Sequence, residues 1–135
     1  MANHIQQVMY EGFLGSDPDM RFTPAGKAVC DFRIGSTRSF KNGSGEKVDE
    51  TTWIKVTTWG SLAELIAKYC AKGSHVIVTG ILKPGENGSP NVYQLKNGDY
   101  AASYEVTARE VRILKGKPAQ GQSEELGDED ELPFD

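Results

Sequence analysis

The sequence predicts an all-β protein, a barrel of about five strands with one helix between the third and the fourth strand. Apolar and polar side chains alternate with a period of two over several stretches, and clusters of Gly, Pro, Asn and Asp separate these stretches. Only one segment has helical spacing. The 135 residues have room for one domain, residues 1–115, and the loss of apolar periodicity after it predicts that residues 116–135 are disordered.

Two strands are predicted in the first forty residues. Residues 5–14 carry spaced apolar side chains and end at a turn cluster, residues 15–18. A second turn, residues 23–26, leads into residues 28–38, where apolar and polar side chains alternate strictly, so we expect this strand to be half buried. The alternating residues are Cys30, Asp31, Phe32, Arg33 and Ile34.

The remaining three strands follow a polar loop at residues 41–47. Residues 51–59 alternate, residues 74–82 contain a nearly continuous apolar run typical of a strand covered on both faces, and residues 104–114 predict the last strand. The Gly-, Asn- and Pro-rich residues 84–100 predict a long hairpin that reaches away from the barrel.

One helix is predicted between the third and fourth strands. Ser61 and Glu64 have the spacing of a capping box, in which each side chain accepts a hydrogen bond from a free amide at the helix start. Apolar side chains recur at helical spacing over residues 62–69, and Gly73 is the expected left-handed terminator. This order of elements is that of an OB-type Greek-key barrel, although the periodicity also fits other small β barrels.

The third strand carries the main candidate binding surface. Trp53, Lys55 and Trp59 fall on one face of this strand. Ile54 and Val56 fall on the other face and account for the core. Aromatic rings on a sheet beside a cation form a platform on which bases stack while the cation meets phosphates. The alternative is that one tryptophan packs under the hairpin or in a subunit contact.

Further candidate contacts lie elsewhere in the chain. Phe40 stands between Arg38 and Lys41, where it would either stack on a base or plug the core. Tyr93 in the hairpin is a candidate for stacking or for packing within the hairpin. Basic side chains on other elements are candidate phosphate contacts or ordinary solvated surface. These basic residues are Arg21, Lys27, Arg33 and Lys72.

Charge is distributed unevenly along the chain. Seven of the nineteen acidic residues lie in residues 123–135, which contain no base, so the first 117 residues hold fifteen Lys and Arg against twelve acids. A mildly basic body with an acidic tail suits a protein that binds a polyanion with the body and another protein with the tail. Because a purely solubilising tail gains nothing from an apolar tip, we expect a partner-docking segment. It comprises Asp128, Glu129, Asp130, Glu131, Leu132, Pro133 and Phe134.

Several classes of function find no support in the sequence. The motifs HExxH, CxxC, GxxxxGK[ST] and GxGxxG do not occur, so we expect no enzyme, no metal and no cofactor. Cys30 and Cys70 lie far apart in apolar settings, which predicts buried, reduced thiols in a cytoplasmic protein. The sequence shows no signal-peptide pattern and no apolar run of about 20 residues, so we expect no membrane association.

Several segments together resemble the bacterial single-stranded DNA-binding protein family, including its phage and plasmid relatives. The resemblance spans roughly residues 3–114 and the acidic tip. It is carried by GFLGSDPDMR at residues 12–21, TWIKV at 52–56, WGSLAE at 59–64, Tyr69 with KGS at 72–74, and VTG at 78–80.

The resemblance implies an OB fold, usually assembled as a homotetramer with single-stranded DNA wrapped around it. It also implies a tail that recruits replication, recombination and repair proteins. By position, Phe40, Trp53 and Trp59 fall where the family has base-stacking aromatics, and Lys55 falls where it has a basic residue beside them.

Two other functions fit the same residues. An RNA-binding OB module would prefer oligonucleotides that are structured or carry 2′-hydroxyls. A protein-interaction adaptor whose barrel no longer binds nucleic acid would show partner binding through the tail without quenching of tryptophan fluorescence.

Overall fold

The computed structural model describes residues 3–117, in which it shows eight strands and one helix. The elements are β1 (Val8–Leu14), β2 (Asp19–Phe22), β3 (Ala28–Lys41), β4 (Lys47–Trp59), α1 (Ser61–Tyr69), β5 (His75–Leu82), β6 (Val92–Gln94), β7 (Tyr100–Ala102) and β8 (Tyr104–Lys115). The acidic tail and its predicted docking segment lie outside the described residues.

Five of the strands close into a barrel. They follow the order β1-β5-β8-β4-β3, and β1 pairs with β3 to complete the ring. β4 and β8 run parallel, and the other neighbouring strands run antiparallel. β2 pairs with the first part of β3, residues 28–31, which β1 does not reach. With α1 between the third and fourth barrel strands, this is the predicted OB-type Greek-key barrel, and the fold prediction is confirmed.

The alternating pattern places one face of each barrel strand in a shared core. Apolar side chains from five strands and α1 are buried there, among them Leu14, Phe32, Ile34, Ile54, Val56, Ile66, Val76, Val78 and Val106. Closing so small a barrel brings β1 close to β3. A Cβ atom on Gly12 would lie 2.3 Å from the carbonyl oxygen of Gly35, so only glycine fits at this crossing.

Both cysteines belong to this core. Cys30 and Cys70 are buried, and neither forms a disulfide. Because burial removes water from the thiolate, it raises the pKa of each thiol to about 11. Both thiols are therefore protonated at neutral pH, and the prediction of buried, unpaired cysteines is confirmed.

The predicted signals at the two ends of α1 are wrong. Ser61 is already helical, whereas a capping serine must stand in the extended position before the helix. That position belongs to Gly60, and no side chain caps the first turn. Gly73 does have a left-handed φ of 91°, but it lies in the turn towards β5. The helix ends at Tyr69, followed by the extended Cys70.

β3 and β4 form one long hairpin with two different halves. In the barrel half, residues 28–35 and 53–59, strands β1, β2 and β8 also pair with the ladder. In the projecting half, residues 36–41 and 47–52, the two strands pair only with each other. Both strands are thus longer than predicted, and the polar loop at 41–47 is largely strand and turn.

Two further local predictions are corrected. β5 buries Val76 and Val78 but leaves Ile77 partly exposed, so the predicted coverage of both faces is incomplete. The predicted hairpin at 84–100 is formed by the short paired strands β6 and β7, but β7 extends to Ala102, two residues beyond the predicted end. The described residues end beside α1, because the amide of Lys117 donates a 2.9 Å hydrogen bond to the carbonyl oxygen of Tyr69.

Within residues 3–117, no helix has the length and apolar character needed to cross a bilayer.

Candidate nucleic-acid interface

The outer face of the barrel half of the hairpin carries both tryptophans. Trp53 and Trp59 are 46% and 42% exposed, whereas Ile54 and Val56 on the opposite face are buried. Directly opposite residues of an antiparallel ladder share a face, so Trp53 stands on the outer face beside Gly35. The predicted division of β4 into a core face and a tryptophan face is confirmed.

A cation lies close to each tryptophan ring. The guanidinium carbon of Arg33 is 5.9 Å from the centroid of the Trp53 ring, and the Nζ of Lys27 is 5.3 Å from that of Trp59. A cation within about 6 Å of a ring is attracted by the negative charge of the ring face. Each candidate stacking ring is therefore accompanied by a positive charge that can reach a neighbouring phosphate.

The centre of this face is cationic. Arg33 and Lys55 lie directly opposite each other between the two tryptophan positions. β8 places Glu105 beside Lys55, and the Nζ of Lys83 is 3.9 Å from Oε1 of Glu105. Three cations and one carboxylate therefore line one open cavity of about 450 Å³. The cavity is lined by Arg33, Lys55, Lys83, Asn91, Tyr93, Ser103 and Glu105.

Tyr93 joins this cationic centre from the hairpin. Its ring is 42% exposed, and its hydroxyl lies 3.0 Å from the Oγ of Ser103. This hydrogen bond anchors the tip of the side chain beside Arg33 and Lys55. The structure therefore brings Tyr93 together with the basic residues, which its distance along the sequence did not indicate.

Phe40 lies on the opposite face of the hairpin from Trp53. Successive side chains on a strand alternate between its two faces. Phe40 is six positions after the core residue Ile34 and so shares its face. It is five positions after Gly35, the neighbour of Trp53, and so lies on the face opposite to Gly35. Phe40 is 37% exposed, so it is not a core plug. Arg38 accompanies it, with its guanidinium carbon 4.8 Å from the ring centroid. The aromatic–cation pair that the sequence indicated exists here, but apart from the tryptophans.

The other predicted phosphate contacts have different surroundings. The Nη1 of Arg21 is 2.6 Å from Oδ2 of Asp31, and this hydrogen bond raises the pKa of the guanidinium above its usual value. Arg21 therefore neutralises a carboxylate of the outer face. Lys72 is exposed, and its amide donates a 2.8 Å hydrogen bond to Oδ1 of Asp17. Lys41 is exposed at the end of the projecting half.

Four residues of this interface were not predicted from the sequence: Lys83, Glu105, Gly15 and Gly35. Lys83 and Glu105 come from segments distant in sequence from the tryptophan strand, and only the alternation of β8 indicated that Glu105 faces outward. The two glycines lie against the ring of Trp53. Their contribution becomes visible only when the pairing of β3 with β4 is known.

The fold and this surface together define a class of protein: an OB barrel whose outer face is open, aromatic and cationic. The chain belongs to the single-strand binding protein family, whose model matches residues 5–114.

Individual relatives agree with this assignment. Single-stranded DNA-binding protein B of Bacillus subtilis (strain 168) is 40% identical over 114 residues, which cover 84% of this chain and 94% of that protein. The single-stranded DNA-binding protein of Neisseria meningitidis serogroup A / serotype 4A is 31% identical over 113 residues, 84% of this chain, and the match spans 62% of its length.

A solved structure shares the fold. The structure titled "Plasmodium falciparum SSB complex with ssDNA" has a TM-score of 0.68 at 18% sequence identity, covering 85% of this chain and 99% of that chain. Family membership supports the expectation of a binding protein rather than an enzyme.

Proposed function

We propose that this protein binds single-stranded DNA independently of sequence and protects exposed strands during replication, recombination and repair. The observation that carries the proposal is the outer face of β4, where two half-exposed tryptophans flank a cationic centre. Trp53 and Trp59 are six residues apart, about 20 Å along an extended strand, with Lys55 between them. The names of the bacterial relatives support the same ligand.

The chemistry of this face explains binding without sequence preference. Every base has a π face, so stacking on Trp53 or Trp59 accepts any base and contributes roughly 1–3 kcal/mol per base. Arg33, Lys55 and Lys83 would meet phosphates, which are identical at every step of the strand.

The simplest test is a titration of the full chain with oligo-dT, followed by tryptophan fluorescence. We expect quenching and an affinity that falls linearly with salt on logarithmic axes, because phosphate neutralisation releases counterions. A parallel titration with oligo-rU distinguishes the RNA-binding alternative. The absence of quenching at low salt would refute the proposal, and a clear preference for oligo-rU would replace DNA with RNA as the ligand.

The proposal extends to assembly and partner recruitment. The family resemblance supports a homotetramer wrapped by the strand, which light scattering with and without oligo-dT would test. The composition of the tail supports recruitment of replication, recombination and repair proteins through residues 128–135. Deleting these residues should leave oligo-dT binding intact or tighter while abolishing partner capture; a truncated chain that still captures its partners would contradict this part.

A further inference from the structure

Two glycines lie against the Trp53 ring where any other residue would place a side chain. A Cβ atom on Gly35 would lie 3.0, 3.1 and 3.3 Å from the ring atoms Cη2, Cζ3 and Cζ2. Three consecutive ring atoms at nearly equal distances mean that this Cβ would sit under the face of the ring, not at its edge. The ring of Trp53 therefore lies flat across the bare backbone of β3.

The turn after β1 supplies the second glycine. A Cβ atom on Gly15 would lie 2.7 Å from Cζ3 and 3.0 Å from Cη2 of the same ring. The amide of Gly15 donates a 2.9 Å hydrogen bond to the carbonyl oxygen of Arg33, which holds the turn against β3. We call Gly15 and Gly35 the indole seat.

The seat leaves part of the ring open. Trp53 is 46% exposed, and it borders an open cavity of about 400 Å³ that is also lined by Gly15, Ser16 and Arg33. The ring thus packs against backbone on one side while remaining accessible from the cavity. This arrangement supports an exposed aromatic ring from one side without burying it.

We propose that Gly15 and Gly35 are positioning residues that hold the Trp53 indole in the orientation that receives a base. The inference rests on the proposed function and adds a determinant of affinity to it. An exposed side chain that must be immobilised on binding weakens affinity by roughly two- to tenfold, and a ring already held in place avoids that loss. The absence of side chains at two positions thereby contributes to binding.

The test uses alanine substitutions in the full chain. Gly15→Ala must displace the ring, since its Cβ would come within 2.7 Å, whereas Gly35→Ala requires a displacement of a few tenths of an ångström. We expect both to weaken oligo-dT binding by roughly two- to tenfold, with Gly15→Ala the larger effect. Gly43→Ala is the matched control, because a Cβ atom there would have no neighbour within 4 Å. None of the three glycines has a left-handed φ, so alanine would meet no left-handed backbone strain at any of them.

A double-mutant cycle with Trp53→Ala separates positioning from general damage. If the glycines act through the indole, Gly15→Ala and Gly35→Ala will weaken binding in the wild-type background but not in the Trp53→Ala background. Near-UV circular dichroism in a Trp59→Phe background should also show a reduced Trp53 signal for both variants. Thermal unfolding identifies any variant that has lost the fold, and the other glycine variant then decides the question.

The outcomes distinguish the two proposals. Equal losses in both backgrounds, or losses in Gly43→Ala as large as in Gly35→Ala, would overturn the indole seat while leaving DNA binding in place. An unchanged Trp53 circular dichroism signal in both seat variants would also overturn it. Failure of the wild-type chain to bind oligo-dT would instead overturn the proposed function, and with it the seat as a determinant of affinity.

Discussion

The barrel half and the projecting half of the β3–β4 hairpin share one ladder but are held in different ways. In the barrel half one face of β4 is packed into the core through Ile54 and Val56, and the outer face carries the tryptophans. In the projecting half most side chains on both faces are exposed or only partly buried. Core packing on one face of β4 thus backs the opposite face, on which the tryptophan rings stand, whereas the projecting half has no such backing.

Polar cross-strand pairs take the place of a core in the projecting half. They are Thr37 Oγ1 with Thr51 Oγ1 at 2.7 Å, Arg38 Nε with Glu50 Oε1 at 2.9 Å, and Ser39 Oγ with Asp49 Oδ1 at 2.6 Å. Exposed cross-strand pairs of this kind contribute roughly 0.2–1 kcal/mol each. Phe40 therefore lies on the weakly stabilised projecting half, whereas Trp53 lies on the barrel half.

The largest expected difference between the halves is in stability. Ile54→Ala removes a buried side chain from the barrel half and should lower the free energy of unfolding by about 2–5 kcal/mol. Thr52→Ala, two residues away on the same face but in the projecting half, should change it by less than about 1 kcal/mol. Urea denaturation measures both. Equal losses would show that the projecting half is as cooperatively packed as the barrel.

The next difference is in binding. Trp53→Ala should weaken oligo-dT binding by roughly 1–3 kcal/mol, with the fold retained because the ring is half exposed. Phe40→Ala should weaken it less, since Phe40 stands on the other face and has no seat. Fluorescence anisotropy of labelled oligo-dT compares the two variants directly. A loss for Phe40→Ala equal to or greater than that for Trp53→Ala would place the main contact on the projecting half.

The two buried thiols of the barrel core predict that the free energy of unfolding depends on pH. The projecting half contributes no buried thiol to this effect. The ordinary pKa of a thiol is near 9, and burial raises those of Cys30 and Cys70 to about 11. Between these values the folded chain binds more protons than the unfolded chain, so the free energy of unfolding falls as pH rises from about 9 to about 11. Below about pH 9 the contribution is fully present.

Urea denaturation at a series of pH values measures this effect against a Cys30→Ala variant. The slope of stability against pH above 9 should be smaller in the variant, because one of the two thiols no longer titrates. An identical slope in both proteins would show that Cys30 reaches water more readily than its burial indicates.

The smallest expected effect concerns the ion pair of the projecting half. Arg38 and Glu50 are both exposed, so a double-mutant cycle with Arg38→Ala and Glu50→Ala should give a coupling energy of about 0.2–1 kcal/mol that decreases with salt. Urea denaturation at low and high salt measures it. A coupling energy well above this range would mean that the projecting half is more rigid than its exposure indicates.

Much of the fold and of the tryptophan face was predictable because these features depend on local alternation. Whether a side chain on β4 faces the core or the outside follows from a period of two, so Trp53, Lys55 and Trp59 could be separated from Ile54 and Val56 without any partner strand. The start of α1 was predicted less well. Gly60 rather than Ser61 occupies the position before the helix, because β4 runs directly into α1.

The sequence by itself determined the class of fold, the buried thiols and the strand face that bears the tryptophans, since each follows from hydrophobic patterning along one segment. Only the tertiary structure decided that Gly15 and Gly35 lie against Trp53, that Lys83 and Tyr93 join Arg33 and Lys55, and that Phe40 faces the other way. The physical reason is that these contacts depend on strand register and barrel closure, which bring together residues far apart in the chain.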